Sequence, residues 1–67
     1  MSDELKKAIV DYININNRIR GVSKEEMDTY TAVMRSELFN EEAMIRFLET
    51  STAIFKQVLE TDEKQHN

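Results

Sequence analysis

The chain has no cysteine, no proline and no tryptophan, and only one glycine and one histidine. Each shortage removes a class of structure. Without cysteine, no disulfide staples so short a chain. His66 stands in a polar stretch with none of the Cys, His or acidic spacings of a zinc or calcium site, so no metal and no cofactor are expected. With no proline and with glycine confined to Gly21, the backbone has almost no breakers, and long helices should form. No run approaches the roughly 18 apolar residues of a membrane span. The opening "MSDELKK" also lacks the basic-then-apolar order of a secretory leader. The expectation is a cytoplasmic protein with no membrane partner, and the missing cysteine suits a reducing compartment.

Basic residues are scarce as well. Nine Lys and Arg stand against 13 Asp and Glu, for a formal net charge of −4. A phosphate-binding protein needs a basic patch, so nucleic acid is not the expected partner. With 67 residues the chain is one domain, residues 1–67. A domain of that size buries little surface, and sharing a core with a second copy is the natural way to gain stability, so a homodimer is expected.

What is present is helix signal. In "VSKEEM", Ser23 is placed as N-cap with Glu26 at the capping-box position, and Val22 and Met27 flank it as a hydrophobic staple. In "FNEEAM", Asn40 is the N-cap, Phe39 and Met44 form the staple, and Glu41 and Glu42 meet the positive end of the helix dipole. Ser2 or Asp3 begins the first helix, and Gly21 closes it. The fold class is therefore all-α, a small three-helix bundle or helical array, with helices at about 3–19, 24–38 and 41–62. Residues 63–67 read as a frayed polar tail.

The stretch "VDYININNRIRG" alternates like a strand around Ile13 and Ile15. At about 100° per residue, however, Leu5, Ala8, Ile9, Tyr12, Ile13, Ile15 and Ile19 share one helical face, and only Val10 falls outside it. Asn16 lies near the centre of that face. It either pairs with its mate across a dimer or is satisfied locally, and local satisfaction is the commoner outcome. The third helix carries Met44, Phe47, Leu48, Ile54, Phe55, Val58 and Leu59 on one face, with small Ser51 in its middle. The second carries a narrower stripe of Met27, Tyr30, Met34 and Leu38.

Chemistry is harder to find. "RGVSKEEMDTY" has the Gly-Val-Ser turn common in helix-turn-helix DNA readers, and Arg18, Arg20 and Lys24 lie beside it. The helix that would enter the groove opens with Glu25, Glu26 and Asp28, which repel phosphate. Adjacent carboxylates at Glu25/Glu26, Glu41/Glu42 and Asp62/Glu63 point about 100° apart on a helix and form no acid/base pair. No nucleophile has a base beside it, so neither an enzyme nor a small-molecule substrate is expected. The reading that remains is a small regulatory or adaptor-like protein that binds another protein through an apolar helical face. Its alternatives are the helix-turn-helix-like DNA binder and an acidic inhibitor of a nucleic-acid-binding protein. The candidate interaction residues are Val10, Val33 and Ile45, apolar but poorly placed on their helices' core stripes, together with Asn16.

Overall fold

The computed structural model describes residues 2–65 as three helices: α1 (Asp3–Ile19), α2 (Lys24–Arg35) and α3 (Glu41–Gln65). All three helix starts are capped by short polar side chains. The Leu5 amide donates to Ser2 Oγ, the Glu26 amide to Ser23 Oγ, and the Ala43 amide to Asn40 Oδ1, at 3.0–3.1 Å. Each bond satisfies one of the amides that a helix start leaves without a partner. Gly21 takes φ +75°, and its amide and that of Arg20 both close onto the Asn16 carbonyl. A side chain at that φ would be strained, so the one glycine sits where the backbone requires it.

Two boundaries differ from expectation. The second helix ends at Arg35 rather than near residue 38. Ser36 turns extended (φ −67°, ψ 145°), its Oγ accepts the Leu38 amide and its carbonyl accepts the Phe39 amide. A serine able to bond its own neighbourhood competes with the helix, and here it wins. The third helix continues to Gln65, so the tail expected from residue 63 is helical that far; His66 and Asn67 lie outside the described residues.

α1 and α3 run side by side in the same direction. The Ser2 amide donates to Glu41 Oε1 at 3.2 Å, joining their starts, and Asp11 and Lys56 line one shared groove further along. α2 returns between them, with Tyr30 beside Tyr12 and Met34 near Leu5. Leu5, Ala8, Tyr12, Ile45 and Leu48 form the core. Small Ala8 on α1 allows close approach, and α1 and α3 come within 8 Å between Cα atoms while α2 reaches neither so closely. α2 is held through side chains, Tyr30 and Met34 packing against the core. The half-buried Met27, Met34 and Met44 border a residual gap of only about 20 Å³ between the helices, so they act as pliable filler.

Candidate interaction surface

Five polar side chains pin α2 to the end of α1. Asn16 is fully buried. Its Nδ2 donates to the Tyr12 carbonyl at 2.8 Å, and its Oδ1 accepts from Arg20 Nε at 3.0 Å. Arg20 then grips Glu26 with both terminal nitrogens, at 2.9 and 2.7 Å. Alongside, the Tyr12 and Tyr30 hydroxyls share a hydrogen bond of 2.8 Å. The bond from Arg20 holds Glu26 below the usual carboxylate range, and Glu26 in turn raises the guanidinium further above its own. Burial, aided by the bond to Tyr12, pushes the Tyr30 phenol up. These shifts keep Arg20, Glu26 and Tyr30 in their ordinary charge states at neutral pH, and the cluster acts as a fastener between α1 and α2.

The fastener accounts for two expectations. Asn16 has both polar atoms bonded within its own chain, to a backbone carbonyl and a guanidinium, and it is fully buried, so it does not present its amide to a mate across a dimer. The capping box is half formed: Ser23 caps, but Glu26 is drawn to Arg20 instead of turning back to the Ser23 amide. Charge attraction to a guanidinium outweighs a bond to a neutral amide. Arg20 is thereby committed to Glu26 and is not a ready phosphate contact.

A pH dependence follows. The folded pKa of Glu26 is lowered, so its contribution is complete above the ordinary glutamate range, about 4–5, and is lost as pH falls through that range and below it. Glu41, depressed by its bonds from Ser2, has the same sign. Glu26→Gln should therefore lower the urea midpoint at neutral pH and shrink its fall between neutral and acid pH. An unchanged fall would contradict this account.

The four candidate interaction residues do not meet on one surface. Ile45 is buried, 8% exposed, against the α1 side of the core and presents nothing to a partner. Asn16 is interior. Val10 is exposed, about 140° around α1 from Leu5, and stands apart. Val33 is exposed and lines a groove of about 400 Å³ between α2 and α3, with Leu38, Phe39, Ala43, Met44 and Phe47. The apolar surface extends from that groove along α3, where Phe47, Ile54 and Val58 remain about half exposed. At the corner, Leu38 is 92% exposed. Reading apolar periodicity alone assigned Phe47, Ile54 and Val58 to the core. A different signal marks them. From Ala43 to Thr61, a sector of α3 about 140° wide holds Ala43, Met44, Phe47, Thr50, Ser51, Ile54, Gln57, Val58 and Thr61, with no charge among them until Asp62 at its end, in a chain that is 33% charged.

Among the described residues no helix is long and apolar enough to cross a membrane, and no three His, Cys, Asp or Glu gather as a metal site. No family model matches the chain, and neither does any curated protein or solved structure.

Proposed function

We propose that this protein is a small, non-enzymatic protein-binding module, regulatory or adaptor-like, that docks an apolar helical face onto a partner protein. The observation that carries this reading is the uncharged apolar surface of Val33, Leu38, Phe47, Ile54 and Val58. Large apolar side chains are exposed singly on most proteins. A run of them across two elements, free of charge, has the composition of an interface centre. Leu38 gains nothing from its exposure in the isolated chain, and an apolar side chain at a corner suits insertion into a partner's pocket.

The test is affinity capture from the native host with wild type and Leu38→Asp in parallel. Leu38 touches too little of its own fold for the change to cost more than about 0.5 kcal/mol, so circular dichroism should be unaltered. A protein captured by wild type and lost with Leu38→Asp supports the reading. Equal capture by both chains would count against it.

A further inference from the structure

Resting on that reading, we propose that the α3 part of the surface takes a second copy of this chain, with the two α3 helices packed antiparallel about their midpoints near residues 52–53.

Charge is the first argument. Each chain carries −4, so two copies repel wherever their acidic faces meet. The α3 sector from Ala43 to Thr61 has no acidic residue, and most of it is exposed, including Phe47, Thr50, Ile54, Gln57 and Val58. It offers a copy an approach without repulsion along about 27 Å of helix. A basic partner would be drawn to the carboxylates elsewhere on the chain and gains nothing from a neutral strip. A copy brings the same neutral strip.

Register is the second argument. Antiparallel pairing about the midpoint overlaps almost the whole of α3 with itself. It sets Phe47 of one copy level with Val58 of the other, and the two Ile54 side chains flank the two-fold axis. In this sense the same margins of the two helices meet, so Arg46 of one copy comes level with Glu60 of the other, twice by symmetry. In parallel pairing opposite margins meet, and Arg46 and Glu60, which share a margin, stay apart, so charge favours the antiparallel sense. The Val58 end of each helix would then lie toward the Val33–Phe47 groove of its partner, and the partner's Phe47 end would cover Val58, which is half exposed in the single chain.

The experiment is sedimentation equilibrium of the full chain at tens of micromolar, with thiol cross-linking. Wild type should sediment at twice the chain mass. Ile54→Asp and Val58→Asp should each weaken association by at least about 100-fold while keeping the helical spectrum, since both side chains are already half exposed. The absence of cysteine lets thiols be placed singly. In a mixture of Thr50→Cys and Gln57→Cys chains, a short cross-linker should join one variant to the other in preference to either with itself. A monomeric wild type would overturn the self-pairing, as would dimers that persist in Ile54→Asp, or Thr50→Cys chains that couple to themselves as readily. These outcomes leave the Leu38→Asp capture result standing or falling on its own, so failure of self-pairing is distinguishable from failure of the protein-binding reading.

Discussion

Ile45→Asp should unfold the protein, and Val10→Asp should leave it almost untouched. Ile45 is 8% exposed and belongs to the core that joins α3 to α1. Replacing it forfeits about 2 kcal/mol of apolar burial and sets a carboxylate among Leu5, Ala8 and Leu48 with no cation in the cluster. The carboxylate's desolvation adds several kcal/mol unless it protonates or the helices part. The sum exceeds about 4 kcal/mol, against a total stability of only a few kcal/mol for a domain of this length. Val10 is 53% exposed, and an acidic residue there costs about 0.5 kcal/mol or less. Circular dichroism at 25 °C checks both: loss of helix in the first, a wild-type spectrum in the second. An Ile45→Asp chain that stays folded would mean that α3 seats itself differently on α1.

That contrast also marks how far the sequence could be read. Both residues looked alike from their positions on the helical wheel, apolar side chains outside the main stripe, and they met opposite fates. The local signals were legible because they are encoded within a few residues: Ser23 and Asn40 as caps, Gly21 as the stop, and the helix beneath the alternation at Ile13 and Ile15. The phase of α3 was not. Its apolar residues centre near Ser51, while the side that packs on α1 centres near Leu48 and Thr52, about 70° away. Periodicity reports the direction of the apolar face and its width. It does not report which neighbour is long enough to cover that face. α1 approaches closely over Ala8 and draws Ile45 inside; α2 runs the other way, its Arg35 end beside Phe39 and Glu41, and Ile54 and Val58 stay half exposed. The leftover face is therefore a consequence of where the neighbouring helices sit against α3, which only the folded chain reveals. Asn16 was legible as the polar residue on an apolar face, but its use was not. Its partner Arg20 is four residues on, and Arg20 in turn reaches across the Gly21 turn to Glu26.

Tyr12 is the residue on which all three helices converge, and the expected effects of changing it separate its ring from its hydroxyl. The ring is 5% exposed and lies 5.7 Å from Tyr30 on α2 and 6.5 and 6.4 Å from Phe47 and Phe55 on α3. Those two phenylalanines stand one turn either side of Ser51, so the ring occupies the space that the small serine leaves. Tyr12→Ala would remove the contacts of α1 with both neighbours at once and open a cavity bounded by three different helices. The expected cost is about 3–5 kcal/mol, enough to leave the chain largely unfolded at 25 °C. Tyr12→Phe keeps the ring and removes the 2.8 Å bond to the Tyr30 hydroxyl, with the weaker interactions of the Tyr12 hydroxyl with Arg20 and Glu26. Asn16 donates to the Tyr12 carbonyl, which the substitution does not touch, so the rest of the fastener persists. The cost should be about 0.5–1.5 kcal/mol, because the half-buried Tyr30 hydroxyl loses its bond to Tyr12 but keeps Glu26 beside it. Urea unfolding of the two variants measures the difference. Tyr12→Phe should lower the midpoint with the slope unchanged, whereas Tyr12→Ala should lose its folded baseline. If the two variants lost similar stability, the hydroxyl pair and not the aromatic contact would be what ties α2 to the α1–α3 pair.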